Sequence, residues 1–393
     1  MLNKKINIMD LFCGTGGLSY GFTKYSKQFE TVCAIDILES SLKTAQLNHP
    51  EAIVINQDIR TLKPSDVESL LKENNKSVDV IVGGPPCQGF SSIRPFRNDN
   101  DDDPRNNLFE QYALFVNYFK PYAFVLENVV GLATHKNSET IKTIEKCFEE
   151  IGYDVNWKIV NAANFGVPQK RERVIMIGVK KGLPILFPEP THYFEGKTIG
   201  YNDKSKVISA VNNLFSFDAY EPAITVAEAI SDLPPIESGQ TASSYTMPPQ
   251  NNYQQERRGD NDTLELHSST NHSPKMLEII KHSGSSISCI PKHLISSGFS
   301  TSYSRLEANK PANTLTVNFV HPASNKCIHP FQNRALTPRE GARIQGFDDN
   351  FKFYGSRTQI VKQIGNAVPP LLGKAIAKGV YEIFKETSLT TSK

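Results

Sequence analysis

The sequence has no Cys-x-x-Cys pair and no cysteine–histidine pair at zinc-ligand spacing. Its six cysteines, at 13, 33, 87, 147, 289 and 327, are widely scattered. That excludes a structural metal site of the usual spacing and a disulfide framework, and points to a reducing, cytoplasmic setting. Long hydrophobic runs are also missing: no segment approaches the roughly 20 apolar residues of a membrane span. The opening MLNKKINIMDLF lacks the apolar core of a signal peptide. Charge of one sign is scarce, with 43 Lys and Arg against 41 Asp and Glu and a net charge of +2. Composition alone therefore does not announce a nucleic-acid partner. There is no internal repeat. At 393 residues the chain can hold one large domain or two ordinary ones.

What is present first is alternation. Strand-like segments at Ile6–Phe12, Thr31–Asp36, Ile53–Asp58, Val78–Val82, Tyr122–Leu126, Tyr153–Ala162 and Arg173–Val179 are separated by helix-like ones. In Ser138–Gly152, Ser138 can cap, Ile141, Ile144, Phe148 and Ile151 form an apolar face, and Gly152 stops the helix. Repeated βα units predict an α/β fold with a mixed, mostly parallel sheet and helices on both faces. From about residue 189 the periodicity fades, prolines and polar residues accumulate, and seven of the nine histidines lie between His192 and His329. This predicts a smaller, loop-rich domain over 189–330, with Ala312–Val320 as a strand. Helical signals return from 331. Thr337 caps a short helix with Glu340 in the capping-box position, Gln363–Pro370 reads as a loop, and Leu371–Phe384 as a closing helix. The expected organisation is 1–188, 189–330, and a return segment 331–393 completing the first domain.

Val78–Ser91, VDVIVGGPPCQGFS, is the segment around which the rest is arranged. An apolar strand ends at Gly83 and Gly84, and Pro85 and Pro86 forbid its continuation. Cys87 then falls where open α/β sheets keep their ligand crevice, just past a strand's C-terminal end. A buried small hydrophobe is the ordinary fate of a free cysteine. The stiff Pro-Pro before Cys87, and the non-core residues Gln88, Gly89 and Ser91 after it, favour a reactive thiol. Asp10–Gly17, DLFCGTGG, follows the first strand and opens a helix. The dinucleotide fingerprint fails at Ser19, but a glycine-rich first turn still suits a nucleotide-like cofactor. Asp36 ends the second strand where a carboxylate can grip ribose hydroxyls, and Asp58 ends the third; each alone would suit a helix cap. Glu127 and Asn128 end the fifth strand at the same sheet edge as Cys87, so a buried glutamate there is either paired or used. Arg171 and Arg173, two apart at the start of the seventh strand, suit anion or base contacts, against the alternative of two surface charges.

A thiol, a carboxyl group, arginines and an adenosine-type pocket suit one chemistry. A thiolate adding to C6 of cytosine, with a carboxyl group at N3, makes C5 nucleophilic enough to attack a methyl sulfonium. The sequence resembles the DNA (cytosine-5) methyltransferases of bacterial restriction-modification systems. The matches run in the family's order: DLFCGTGG at 10–17, Asp36, Asp58, GGPPCQGFS at 83–91, RNNLF at 105–109, ENV at 127–129, QKRER at 169–173, RALTPREGARIQGF at 334–347 and QIGNAVPP at 363–370. The resemblance implies Cys87 as nucleophile, Glu127 at N3, Arg173 on the target base, and Arg171 on the DNA backbone or the nucleophile's loop. It implies S-adenosylmethionine, with no metal, surrounded by Phe12, Gly14, Gly16, Gly17, Asp36, Ile37, Asp58, Ile59, Pro86, Leu108, Asn366 and Val368. Gln88, Ser91, Arg171, Arg173 and Arg305 are the implied DNA contacts. Arg257, Arg258 and Lys292 are further candidates for phosphate contact or plain surface. The implied protein is a monomer acting on double-stranded DNA, paired in function with a restriction endonuclease, with residues 189–330 recognising the target. Asp36 stands where the family usually has glutamate, Cys13 where alanine is common, and Asp348 where proline is typical. The alternatives are an RNA (tRNA) cytosine-5 methyltransferase, disfavoured by the missing Cys-Phe-Thr signature, and an inactive DNA-binding regulator, disfavoured by the intact Cys87, Glu127 and Arg173.

Overall fold

In a computed structural model, residues 4–86, 107–194, 201, 203–210, 220–295 and 297–390 are described. From the N-terminus, β1 (Ile6–Leu11) enters α1 (Gly17–Tyr25) through the glycine turn; β2 (Phe29–Asp36) leads to α2 (Glu39–Asn48) and β3 (Ile53–Asn56) to α3 (Pro64–Glu73). β4 (Val80–Gly83), α4 (Asn107–Phe119), β5 (Ala123–Val129), the short α5 (Gly131–Thr134) and α6 (Glu139–Glu150) follow. Then come β6 (Tyr153–Asn161), the two-residue β7 (Gln169–Lys170) and β8 (Glu172–Lys180).

The main sheet has the order β10–β6–β8–β5–β4–β1–β2–β3, where β10 is Val207–Ile208. Every pairing is parallel except the two made by β8, which runs against β5 and β6. The reversal comes from a tight return after β6, closed where the Ala162 N–H donates to the Arg171 carbonyl at 2.9 Å. Alternate residues of the central strands enter separate cores. Phe124, Leu126, Val174 and Met176 pack with Val67, Tyr112, Phe115 and Phe148 of α3, α4 and α6. Val80, Val82, Val125, Ile175 and Ile177 pack with Leu18 and Phe22 of α1 and with Leu372, Ile376 and Val380 of α12 (Pro370–Thr390). Burial on both faces is why these strands read as continuous apolar runs.

Beyond β8, β9 (His192–Tyr193) pairs with β11 (Glu221–Pro222). The helices α7 (Val226–Ile230), α8 (Asn252–Arg258) and α9 (Pro274–Lys281) are short, and β12 (Ala312–Asn313) pairs with β7. α10 (Pro338–Ile344) and α11 (Arg357–Asn366) follow. Val226, Ile230, Tyr253, Leu315, Phe319, Leu336, Phe347, Ile360 and Ile364 form one core that also takes Tyr20 of α1. Thus α10 and α11 are packed with the loop-rich region, while α12 is packed on the sheet.

Three local expectations need correction. Ser138 precedes α6 but does not cap it with its side chain: it takes φ 71° after a preceding short helical turn, and its Oγ donates to the Ala133 carbonyl at 2.7 Å. Of Ala312–Val320, only Ala312–Asn313 pairs as strand. The rest is an extended path and turn whose Leu315 and Phe319 fill the core against α10. Residues 363–366 are helical, not loop: Gly365 lets α11 continue against the Thr316 carbonyl, where a Cβ would stand only 2.5 Å away.

Candidate active site

Strand order reverses between β1 and β4, and the crevice of an open α/β sheet lies at such a point, beyond the strands' C-terminal ends. The glycine turn crosses it with Phe12, Gly14 and Gly16 at φ 54°, 52° and 74°. A Cβ on Gly14 would meet nothing within 4 Å, so the turn is open there. A Cβ on Gly17 would lie 2.6 Å from the Val368 carbonyl, so glycine at that position is what seats residues 366–368 on the start of α1. Beneath the turn, the buried Ser19 hydroxyl donates to Asp10 at 2.5 Å and lies 3.3 Å from His49 Nε2. Burial raises the Asp10 carboxyl to about 7 and lowers His49 to about 4.

Asp36 accepts the Gly14 N–H on Oδ2 and the Leu38 N–H on Oδ1, each at 2.8 Å. Burial nonetheless raises its pKa above the usual carboxylate value. Ile37, beside it, is 60% exposed, leaving an apolar face next to the open turn. Asp58 caps the turn Ile59–Thr61 and is clasped by the Arg60 guanidinium, which lowers its pKa. The Ile59 side chain packs into the core with Leu62 and Val67, against the expectation that it lines the cleft. Leu108 is partly buried on α4, Pro86 and Asn366 are exposed, and Val368 is partly exposed.

At the adjoining edge, Arg173 Nε lies 2.8 Å from Glu127 Oε1. The pair is ionic without hydrogen-bond alignment, and the buried Oε1 has no hydrogen-bond donor among the described residues. Register explains the meeting: Glu127 faces Ile175, so Arg173 is two residues on, on the same face. Gly84 passes close by, where a Cβ would be 3.1 Å from Glu127 Oε2. Asn128 Nδ2 donates to the Pro85 carbonyl at 3.0 Å, tethering the segment that leads to Cys87. Cys87, Gln88 and Ser91 lie outside the described residues. The tether by Asn128 was not apparent from sequence, although its position beside Glu127 was the available signal.

Four arginines expected at DNA or on the surface are engaged within the protein. Arg171 is buried and donates to the carbonyls of Gly365 at 3.3 Å and Asn366 at 3.4 Å. Arg305 donates to the carbonyls of Ile280, Ser283, His329 and Gln332 and to Asn333, which leaves its guanidinium committed to closing its own loops. Arg257 is buried against Asp348 at 3.0 Å. Arg258 stacks over Tyr245 at 3.7 Å from the ring centroid. Among the described residues, no group of three or more His, Cys, Asp or Glu is gathered to hold a metal ion, and no helix is long and apolar enough to cross a membrane.

The mostly parallel sheet, its open glycine turn and the carboxylate at the end of β2 form a nucleotide-type crevice, and the likeness to a solved methyltransferase makes the fold that of the α/β S-adenosylmethionine-dependent class. The chain belongs to the family described as C-5 cytosine-specific DNA methylase, which it matches over residues 6–382. It is accordingly a DNA (cytosine-5-)-methyltransferase. It is similar to the Type II methyltransferase M1.HphI of Haemophilus parahaemolyticus, with 36% identity across 96% of this chain and 87% of the relative. It is also similar to the Type II methyltransferase M.DdeI of Desulfomicrobium norvegicum, with 35% identity across 98% and 90%. Among solved structures, a putative DNA modification methyltransferase encoded within an E. coli prophage superposes with a TM-score of 0.74 at 26% identity, across 97% of this chain and 100% of that one.

Proposed function

We propose that the protein methylates C5 of a cytosine swung out of a specific double-stranded DNA sequence, through a temporary bond between Cys87 Sγ and C6. One observation carries this reading: the Glu127–Arg173 pair stands beside the tethered Gly84–Pro86 segment that leads directly into Cys87. A stacked base would be out of reach, which is why the base must leave the duplex. The Cys87 thiolate adds to C6, the C5=C6 electrons move through the ring toward N3, and Glu127, having first taken up a proton from solvent, gives that proton to N3. Arg173 holds the Glu127 carboxyl in place and contacts the base. C5 is then an enamine carbon. After methylation, loss of the C5 proton restores the double bond and expels the sulfur.

The residues at the crevice fit S-adenosylmethionine, which supplies an electrophilic methyl group when bound. Gly14 opens onto free space, the Asp36 carboxylate is only partly buried and can accept ribose hydroxyls beside its backbone N–H contacts, and Ile37 offers an exposed apolar face for a base. Phe12, Gly16, Gly17, Pro86, Leu108, Asn366 and Val368 complete the binding surface. Asp58 joins them by exchanging part of its contact with Arg60. Gln88 and Ser91 are proposed DNA contacts, and residues 189–330 the target-reading region. The similarity to Type II methyltransferases supports a restriction-modification setting in the cytoplasm with a cognate endonuclease.

Bisulfite sequencing of DNA treated with the protein and S-adenosylmethionine tests the reading. Protection of one cytosine in one recurring sequence is expected. Methylation of RNA alone, or of neither polymer, would overturn it.

A further inference from the structure

Arg171 follows β7 and stands two residues before Arg173, yet it points at the other half of the site. Its guanidinium spans the carbonyls of Gly365 and Asn366 at the C-terminal end of α11. The next carbonyl, of Ala367, accepts from Gln345 Nε2 at 2.5 Å. Gln345 Oε1 in turn accepts from Gln169 Nε2 at 2.5 Å, and Gln169 Oε1 accepts the Leu315 N–H at 3.1 Å. Gln169 and Gln345 are fully buried. Three successive carbonyls at a helix end, which would otherwise lack partners, are therefore held by side chains from 169–171 and from the end of α10. A cation at a helix C-terminus also complements the helix dipole. Immediately beyond these carbonyls Val368 closes on Gly17.

The charge balance adds a second observation. Arg171 and Arg173 share Glu127 as their nearby carboxylate, and burial with repulsion from Arg173 lowers the Arg171 pKa while Glu127 opposes. Arg171 Nε is buried without a hydrogen-bond partner among the described residues. A change in charge or distance at the Glu127–Arg173 pair therefore alters the electrostatic surroundings of the Arg171 guanidinium.

We propose that Arg171, with Gln169 and Gln345, is a positioning residue that couples occupancy of the base site to affinity at the cofactor turn, by holding carbonyls 365–367 against α1. This rests on the base and cofactor sites proposed above. Coupling is reciprocal, so bound DNA tightens the cofactor product and the product tightens DNA by the same factor. Arg171→Lys keeps the charge but loses the planar fork whose two separate nitrogens reach the two carbonyls in one fixed geometry. Gln345→Met keeps the volume and removes the hold on Ala367.

The test is calorimetric titration of S-adenosylhomocysteine into the whole protein, alone and with a duplex carrying the methylated sequence, beside steady-state kinetics. The wild type is expected to bind S-adenosylhomocysteine about 5- to 150-fold more tightly with DNA present. Both variants are expected to lose most of that factor and raise KM for S-adenosylmethionine more than they lower kcat, with DNA affinity in the absence of cofactor unchanged. Wild type that binds both ligands without coupling, folded variants that keep the coupling, or two variants that only melt earlier would each overturn the proposal. Wild type that binds neither ligand would instead overturn the site reading beneath it.

Discussion

Glu127 is buried beside Arg173, and in the proposed mechanism it hands a proton to a base. Glu127→Gln keeps the shape and removes the acid, so methyl transfer is expected to slow by about 10²- to 10⁴-fold. Calorimetry should find S-adenosylhomocysteine binding retained; a primary loss of that affinity would put Glu127 in the other pocket. Cys87→Ser is expected to abolish turnover, because a hydroxyl is a far weaker nucleophile near neutral pH. A radiolabelled methyl-transfer assay checks this. Gly17→Ala would set a Cβ 2.6 Å from the Val368 carbonyl, and is expected to weaken cofactor binding at least tenfold, about 1.4 kcal/mol. Cys87 lies outside the described residues. At this scale the positions of Glu127 beside Arg173 and of Asp36 under the glycine turn were legible, because a carboxylate at a strand end leaves a local trace. The arginines were not: 171, 257 and 305 look alike in sequence, and only the packed chain shows that their donors meet carbonyls and Asp348.

α10 is the element that ties the loop-rich region to the rest. Its start was readable, since Thr337 accepts the Glu340 N–H and Glu340 accepts the Thr337 N–H as the capping box requires. Its charged interior was not readable. Arg334, Arg339 and Arg343 are 0% exposed. Arg334 pairs with Glu340, while Arg343 grips Asp349 at 2.6 Å on both oxygens and Asp232 at 3.1 and 3.2 Å. Removing one partner leaves buried carboxylates uncompensated, so Arg343→Met is expected to cost about 3–5 kcal/mol in urea unfolding. Asp348, next to Asp349, accepts from Tyr20 and pairs with Lys24, both on the helix opened by the glycine turn, and with Arg257. Its departure from the family's usual proline thus joins α1 to α8. The short strand at 312 was overread because Leu315 and Phe319 are apolar for a helix beneath them, not for a neighbouring strand.

Across the whole molecule, the order of elements and the mostly parallel sheet followed from the alternation of apolar runs and helices, whereas the antiparallel β8 did not. A reversal is decided by the turn at 162–171 and by pairing partners far apart in sequence. The histidines also act at this scale. His272 accepts the Ala335 N–H, His329 accepts the N–H groups of Phe331 and Gln332, and burial lowers each to about 4 from 6.5. Both are therefore neutral when folded and take up protons on unfolding below 6.5. Their contribution is complete above pH 6.5 and is lost as pH falls toward 4. Urea midpoints should drop between pH 7 and pH 5, and His329→Gln should reduce that drop; an unchanged midpoint over this range would contradict the assignment.

The most direct measurement uses a duplex with 5-fluorocytosine at the methylated position, where fluorine cannot leave C5 as a proton does. Incubated with the protein and S-adenosylmethionine, it should become bonded to Cys87, seen by mass spectrometry as a peptide carrying the methylated fluoropyrimidine nucleotide. A wild-type protein that methylates the ordinary duplex yet forms no such bond, or forms it at another residue, would contradict the mechanism.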